Sequence, residues 1–423
     1  MEPRREGEYP LTKTAPIEQR AHLIELRPTS EQALYFQRAC GAARFTYNWA
    51  LAEWNRQYEA GQKPNAAQLK KQFNAVKYQQ FPWLKNIHRD AHAQPFANLR
   101  RAWGHYFQWL KTKNGPKRDR PTFKKKNRSR DSFYVANDKL TVSGDCIRLP
   151  LAGWVQMTES VRFGGQILSA TVSQRNHRWF VSLQCEFEIC WLAPKGRRER
   201  IGVDVDVKTF ATLSTGEKIE APRPLKRALR RLRLFSRQRD KRNKSAKAKA
   251  KLNRKIAQIH FRVSNIRKDF LHKLTHRLCR ENQAIGYEDL PVQFMLSNKK
   301  LTRPVHDLAL GAFFRCLEYK APTFRTDLYQ AERNYPSSQL CSTQGCGYRF
   351  RELTLAIRFW TCPQCGMHHD RDENAAKNLE FWISTVSTVG LDGKASRPDL
   401  RPALVEAVGV GTEKCAHGCA PER

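Results

Sequence analysis

The stretch IGVDVDVKTFATLS, residues 201–214, decides the fold of the C-terminal half of the chain. Its apolar residues alternate with Gly202, Asp204 and Asp206, and side chains alternate between the two faces of a strand. The pattern therefore predicts a strand with one apolar face and carboxylates on the other, joined by a tight turn to a second strand. It places Asp204 on an open face of a sheet.

Two further acidic motifs lie downstream. AIGYEDL, residues 284–290, is typical of a buried strand that ends at Glu288, and HDRDENAA, residues 369–376, is typical of a helix start with Asp372 in its first turn, where the helix dipole favours a carboxylate. Three such carboxylates, gathered by a fold, can hold two divalent metal ions about 4 Å apart and hydrolyse a phosphodiester. We predict that Asp204 joins the other two in such a site.

A second acidic residue lies close to each candidate, and each is an alternative. A single carboxylate is more often a turn or cap residue than a ligand. Asp289 falls on the opposite face of its strand from Glu288, and Asp370 is better explained as a helix cap or as part of the cysteine segment. Asp206 shares a face with Asp204, so it remains an alternative ligand.

Four cysteines between the second and third acidic motifs have the spacing of a zinc site. Cys341 and Cys346 are followed, after fifteen residues, by Cys362 and Cys365 in CPQC. Four thiolates at this spacing are typical of tetrahedral zinc in a closed structural site, so we predict one structural Zn²⁺. Buried free thiols are the alternative, and a histidine of the following HH pair could replace one ligand.

The charge of the chain indicates a polyanionic partner. The formal net charge is +36 over 423 residues, and nucleic acid fits best because each neutralised phosphate releases counterions. A surface kept charged only for solubility is the alternative.

Between Lys226 and Lys255, 15 of 30 residues are Lys or Arg. Leucines and isoleucines at helical spacing predict a packed helical hairpin there, with its other face along phosphates.

Composition also excludes several classes of protein. No run of 18 or more apolar residues is present, so no membrane span is predicted. The first residues have no apolar segment of the secretory type, and the sparse, paired cysteines indicate a reducing compartment. We therefore expect a cytoplasmic protein. No GxxxxGK[ST] loop is present, so ATP-driven work is not expected.

In the N-terminal half, the spacing of apolar residues changes at about residue 132 from the helical three to four residues to the alternation of a strand. Before that point we predict a short strand within 17–28 and then helices, the first of which has Thr29 and Gln32 as a capping box. The predicted helices are 31–54, 66–78 and 91–113. The alternating pattern of 132–192 predicts a small antiparallel sheet or barrel. Near the other end of the chain, a helix is predicted from about Asp307 to Tyr319.

Taken together, these motifs resemble the TnpB family, OrfB-type transposon-encoded proteins related to the compact type V CRISPR effector nucleases. The resemblance covers residues 20–382 and rests on RFTYNWAL, FKKKNRSRDSF, GVDVDVKTFATLS, EDL, YPSSQLCS with the following CG, WTCPQCG and HDRDENAAKN. It implies an RNA-guided DNA endonuclease that cleaves double-stranded target DNA next to a short adjacent motif. The guide RNA would come from the transposon end and supply specificity by base pairing.

The resemblance also implies a multidomain α+β fold. An RNase H-like (RuvC) nuclease domain would carry an inserted zinc ribbon, and a β-barrel wedge domain would carry an inserted helical recognition lobe. The implied ranges are 15–30 and 122–194 for the wedge, 31–121 for the recognition lobe, 195–335 and 370–385 for the nuclease domain and 336–369 for a zinc-binding target nucleic-acid module. After Trp382 the composition turns to Gly, Ser, Pro and Thr, which predicts a disordered tail over 386–423.

The family's functional residues correspond to positions of this chain. The resemblance implies that Asp204, Glu288 and Asp372 are catalytic and hold two Mg²⁺ ions. It implies a cytoplasmic location in a prokaryote, at the nucleoid when the protein is bound to DNA. It also implies that one Zn²⁺ is held by Cys341, Cys346, Cys362 and Cys365.

Three features depart from the family pattern. Asp206 stands where the family usually has Gly, Pro291 and Phe294 change a usually polar loop, and the first cysteine loop is two residues longer than usual. None removes a required ligand, so we expect a competent nuclease. The alternatives are a nuclease-dead guided repressor, which would have lost a motif carboxylate, and a transposase that acts without a guide.

Overall fold

The computed structural model describes residues 17–113, 117–126, 128–162, 164–188, 196–241, 245–354 and 356–389. The chain divides into two compact units, and the first ends at Glu188. Each unit has its own sheet and its own apolar core. The fold is therefore a mixed α/β fold with more than one sheet.

The first unit contains a seven-stranded sheet in which neighbouring strands are antiparallel, as the alternating pattern predicted. In sheet order the strands are β2 (Ser132–Ala136), β6 (Gln166–Arg175), β7 (Arg178–Glu188), β1 (Ile17–Arg27), β5 (Gly153–Met157), β4 (Cys146–Leu149) and β3 (Thr141–Ser143). The chain between β1 and β2 contains the helices α1 (Ser30–Glu59), α2 (Ala66–Gln80) and α3 (Arg89–Thr112).

The start of α1 confirms the predicted capping box. The hydroxyl of Thr29 accepts a hydrogen bond from the backbone N–H of Gln32 at 3.3 Å, and the side chain of Gln32 accepts one from the N–H of Thr29 at 3.0 Å. The helix continues to Glu59 rather than ending at Trp54. In the additional turn, Gln57 is buried and its side-chain amide donates a hydrogen bond to Gln72 of α2 at 3.2 Å, so packing between helices supports this turn.

The second unit contains a five-stranded mixed sheet. In sheet order its strands are β10 (Lys218–Ile219), β9 (Ala211–Leu213), β8 (Arg198–Asp204), β11 (Asn282–Glu288) and β12 (Asp327–Ala331). The last three are parallel to one another, whereas β9 and β10 are antiparallel additions after β8. The remaining elements of the unit are α4 (Pro224–Asp240), α5 (Ala246–Glu281), α6 (Val292–Ser297), α7 (Thr302–Leu308), α8 (Leu310–Phe324), β13 (Phe359–Thr361), β14 (His368–Asp370) and α9 (Arg371–Val389).

Two glycines seat α9 on the sheet. Gly202 in β8 and Gly286 in β11 are register partners, and a Cβ added to them would lie 1.8 Å from the carbonyl oxygen of Ala376 and 2.6 Å from that of Leu379. Only glycine permits so close an approach of backbone to backbone. The helix that follows the third acidic motif therefore lies directly on the two strands that carry the first and second motifs.

The helix α9 also extends beyond its predicted end. We predicted disorder from residue 386, but α9 ends at Val389. The burial of Val386, which lies in the added residues, accounts for a longer helix than composition alone suggests. The rest of the predicted tail, 390–423, lies outside the described residues.

The predicted helical hairpin is confirmed as α4 and α5, and a buried carboxylate on α7 holds it. Asp307 accepts hydrogen bonds from the backbone N–H groups of Leu225 (2.9 Å) and Lys226 (2.8 Å) at the start of α4. It also pairs with Arg267 of α5 at 2.9 Å. The single helix predicted from Asp307 is instead two helices, because Ala309 has φ of +56° and ends α7.

None of the helices within the described ranges combines the length and the apolar character that crossing a membrane requires.

Candidate active site and cysteine cluster

Asp204 and Glu288 lie at the same edge of the second unit's sheet. Each is the last residue of its strand, β8 and β11. These strands are parallel neighbours, and their last register pair is Val203 with Tyr287. The carboxyl ends of parallel strands meet at one edge of a sheet, where sites in α/β folds commonly form. The first two predicted residues are therefore brought together by strand pairing.

Asp372 reaches the same place from the first turn of α9. The side chain of Asp370 accepts hydrogen bonds from the backbone N–H groups of Asp372 (3.0 Å) and Glu373 (3.2 Å), which is the pattern of a helix cap. Lys218 of β10 holds the other oxygen of Asp370 at 2.6 Å. This confirms the interpretation of Asp370 as a cap, and it shows how the start of α9 is fixed.

The carboxylates of the site act on one another electrostatically. Burial raises the pKa of Asp204 well above its usual value, and the charges of Glu288, Asp372 and Asp206 raise it further. Burial also raises the pKa of Glu288, although a hydrogen bond from Ser337 and the charge of Arg371 oppose the rise. Burial together with mutual repulsion makes the charged form of these carboxylates costly, and a cation bound beside them would offset that cost.

One cation that already faces this group comes from the cysteine segment. The guanidinium of Arg358 lies 3.0 Å from Asp372 and 3.4 Å from Asp206, so it bridges the predicted ligand and the unusual fourth carboxylate. The sequence offered no signal for this role, since Arg358 is one of 76 Lys and Arg residues. Asp289, by contrast, pairs with exposed Arg333 at 3.3 Å.

A second contact that sequence reasoning missed involves Glu288. The hydroxyl of Ser337 donates a hydrogen bond to Oε1 of Glu288. Ser337 is buried and belongs to the stretch YPSSQLCS, residues 335–342, which contains the first cysteine of the cluster. A serine in a loop has no periodicity that would indicate its partner.

The four predicted cysteines form a compact cluster. The sulfur atoms of Cys341 and Cys365 are 3.6 Å apart, as are those of Cys346 and Cys362, and all four lie within 4.8 Å of one another. Four sulfur atoms that bind one zinc ion tetrahedrally at about 2.3 Å are about 3.8 Å apart. The spacing of the cluster therefore fits a structural zinc ion.

The chemistry of the cluster also suits a metal. A hydrogen bond from the backbone of Met367 lowers the pKa of Cys365 to about 6, which favours the thiolate, the form that binds metals. His369 lies beside the cluster, with Nε2 3.0 Å from the sulfur of Cys341. Its ring packs on buried Trp360 at 4.8 Å between centroids.

The carboxylates are arranged differently from the cysteines. Among the described residues, only the cysteines form a group whose ligand atoms all converge within 4.8 Å. Glu288 and Asp372 lie close enough to raise the pKa of Asp204, but the ligand atoms of these three side chains are not all within 4.8 Å of one another.

Three family models match the chain. The OrfB model described as probable transposase matches residues 182–299, the Cas12f1-like TNB domain matches 311–379, and a model described as helix-turn-helix domain matches 18–63. The third description does not fit the geometry. Within 18–63 the structure contains β1 and the single long helix α1, not two helices joined by a turn.

Relatives match over nearly the whole chain. A protein of Streptomyces pristinaespiralis with the name "Putative RNA-guided DNA endonuclease" is 34% identical over 397 residues, covering 90% of this chain and 92% of that protein. InsQ of Escherichia coli (strain K12), which has the same descriptive name, is 29% identical over 398 residues, covering 89% of this chain and 96% of that protein.

Among solved structures, the protein of a cryo-EM Cas12f1-sgRNA-target DNA complex matches with a TM-score of 0.51 over 83% of each chain. The sequences are 15% identical, so this similarity concerns the fold.

Proposed function

The chain belongs to the TnpB family of OrfB-type proteins, and from this premise we propose that it is a transposon-associated, RNA-guided DNA endonuclease. The observation that carries the proposal is the site at the sheet edge. Asp204 and Glu288 end two adjacent parallel strands, and Asp372 begins the helix that lies on them. The full-length similarity to relatives that are named RNA-guided DNA endonucleases supports the same function.

We assign the second unit's sheet with α9 to an RNase H-like (RuvC) nuclease domain, 195–335 with 370–385. The parallel strands β8, β11 and β12 and the acidic edge support this assignment. The segment 336–369 would be a zinc-binding module for target nucleic acid. In the first unit, the sheet strands of 15–30 and 122–194 would form the wedge, and the helices within 31–121 the recognition lobe.

We further propose that two Mg²⁺ ions are held by Asp204, Glu288 and Asp372. Carboxylate oxygens are the ligands that Mg²⁺ prefers, and the mutual repulsion that raises the pKa of Asp204 would be relieved by divalent cations. When bound, such ions supply an activated water and stabilise the leaving 3′ oxygen.

The chain's own residues hold this site in place. Asp370 caps the first turn of α9 and thereby orients the backbone that carries Asp372. Arg358 balances the charge of Asp372 on the side that faces Asp206. The four cysteines would hold one structural Zn²⁺, which fixes the segment that presents Arg358.

A guide RNA from the transposon end and double-stranded target DNA are the proposed partners. The basic helix α4 supports a polyanionic partner, because Lys226, Arg230, Arg233 and Arg237 lie at helical spacing along one face of it, together with two leucines. Such a surface binds phosphates without regard to sequence, which suits a protein whose specificity comes from base pairing. The work would take place in the prokaryotic cytoplasm, at the nucleoid.

A plasmid-cleavage experiment tests this function. The protein would be expressed with DNA from its native transposon end, purified as a complex, and given Mg²⁺ and a plasmid with a matching target flanked by random bases. We expect linear product confined to a few flanking sequences. Asp372→Asn should abolish it, whereas the control Glu373→Gln, an adjacent acid paired with Lys377 at 2.7 Å, should cleave normally.

The alternatives predict different products. An intact plasmid with tight, RNA-dependent binding would indicate a guided repressor. Recombination products that carry element ends without any RNA would indicate a transposase that acts without a guide. Equal cleavage by Asp372→Asn would contradict the assigned site.

A further inference from the structure

We propose that residues 335–342 form a strap that positions the carboxylate of Glu288, with Ser337 as the positioning residue. The inference rests on the proposed function, because it concerns the same metal site. It assigns a role to the YPSSQLCS stretch, which contains the first cysteine of the cluster and contributes no carboxylate of its own.

Glu288 needs an external contact to hold one conformation. It is the last residue of β11, and a glutamate side chain has several rotatable bonds whose freedom must be restricted before its oxygens can act as fixed ligands. The hydroxyl of Ser337 donates a hydrogen bond to Oε1 of Glu288. A carboxylate has about four lone-pair sites, so this bond orients the group and leaves capacity for a metal ion.

Ser337 is held in place by two buried asparagines of α9. The side-chain amide of Asn378 donates to the carbonyl oxygens of Ser337 (2.7 Å) and Leu340 (2.8 Å). One turn earlier, Asn374 donates to Leu340 at 2.6 Å and accepts from the backbone N–H of Ser342 at 2.9 Å. Both asparagines are at most 5% exposed.

The hydroxyl of Tyr335 adds a bond at the beginning of the strap. It donates to the backbone carbonyl of Asn378 at 3.1 Å, and its ring packs on Trp382 of the same helix at 4.8 Å between centroids. Each of these bonds engages the backbone or an amide rather than a charge. The strap is therefore fixed along its length to one face of α9.

Through this arrangement, α9 fixes the positions of two proposed metal ligands, Asp372 and Glu288. Asp372 lies in the first turn of α9, and the same helix, through the strap, sets the position of Ser337 against Glu288. The strap ends at Cys341 and Ser342, so the cysteine cluster anchors its far end. Movement of the cysteine cluster would displace the hydroxyl that holds Glu288.

The neighbouring serine provides a matched control. Ser338 takes part in the strap through its backbone carbonyl, which accepts a bond from Asn374 at 3.3 Å, and alanine keeps that carbonyl. Ser337→Ala removes the hydroxyl that touches Glu288, whereas Ser338→Ala removes one hydroxyl from the same strap. Ser337→Thr keeps the hydroxyl but adds a methyl group in a buried place.

The test measures Mn²⁺ binding by electron paramagnetic resonance on the guide-bound protein without target, together with the Mg²⁺ concentration for half-maximal cleavage. Losing a hydrogen bond to a charged group in a buried site changes an equilibrium constant, here the metal-binding constant, by roughly tenfold or more. We expect Ser337→Ala to weaken Mn²⁺ binding and raise the Mg²⁺ requirement about tenfold. Ser338→Ala should leave both unchanged, and Ser337→Thr should stay close to the wild-type protein.

The pattern across the variants decides the outcome. If the side chain matters only for packing, the larger Ser337→Thr will be impaired and Ser337→Ala will not, which would overturn the proposal. Equal loss in Ser337→Ala and Ser338→Ala would do the same. Zinc content should be equal in all variants, since none alters a cysteine. Cleavage by the wild-type protein tests the proposed function separately, because Mn²⁺ binding requires no cleavage.

Discussion

The cysteine cluster and the carboxylate group of the second unit are both assembled from side chains that favour a cation, but they are assembled over very different distances along the chain. The cysteines lie between Cys341 and Cys365 and meet through short turns. The carboxylates come from two strands and a helix, between Asp204 and Asp372. A local cluster needs only its own segment, whereas a dispersed one needs the whole sheet and the helix seated on it.

The structure also joins the two groups. Arg358, from the cysteine segment, contacts Asp372 and Asp206, and Ser337, from the segment just before the first cysteine, contacts Glu288. The cysteine cluster, which forms within one segment, therefore supports the carboxylate group, which is assembled from distant parts of the chain. Substitution of a cysteine should therefore impair the carboxylate site more than substitution of a carboxylate impairs the cysteine cluster.

The largest effect is expected from Asp204→Asn. Cleavage should fall by several orders of magnitude, because the proposed metal ligand at the end of β8 loses its charge. The metal-free protein should become more stable, since the raised pKa means that ionised Asp204 costs stability at neutral pH. Thermal unfolding with and without Mg²⁺ checks this. Mg²⁺ should raise the melting temperature of the wild-type protein more than that of the variant.

The matched control for this substitution is Asp289→Asn, which neutralises an exposed acid that pairs with Arg333. It should change neither the cleavage rate nor the response of the melting temperature to Mg²⁺. A destabilised Asp204→Asn protein would contradict the account of repulsion within the carboxylate group.

An intermediate effect is expected from Cys346→Ser. Bound zinc should be lost, and cleavage should fall by about tenfold or more, because the segments that present Arg358 and Ser337 lose their anchor. Metal content by mass spectrometry and the cleavage rate are the two measurements. The control is Cys146→Ser, a similarly half-exposed cysteine of β4 in the first unit. A zinc-free protein with a wild-type cleavage rate would show that the two groups are independent.

The smallest effect is expected from Asp206→Gly, which restores the residue usual for the family. Asp206 lies beyond the end of β8, and its carboxylate contacts Arg358 at 3.4 Å. We therefore expect a change in the cleavage rate of less than about threefold. Titration of cleavage against Mg²⁺, with Asp206→Asn beside it, checks this. A large loss in both variants would make Asp206 a metal ligand and a fourth member of the carboxylate group.

Much of the local structure followed from the sequence. The capping box at Thr29 and Gln32, the basic hairpin and the antiparallel strands after residue 132 are all present. Errors occurred where packing decided the outcome, since α1 and α9 are longer than predicted and the helix predicted from Asp307 is interrupted at Ala309. Helix ends depend on tertiary contacts that a periodicity does not contain.

The sequence by itself determined which residue types could bind metal, because alternation along a strand and spacing between cysteines are local properties. It identified Asp204, Glu288 and Asp372 as the candidate carboxylate ligands and the four cysteines as the candidate thiolate ligands. Only the tertiary structure decided that Ser337 and Arg358 would touch those carboxylates. A hydroxyl or guanidinium finds its partner through distances set by the packing of α9 on the sheet, and such distances leave no pattern along the chain.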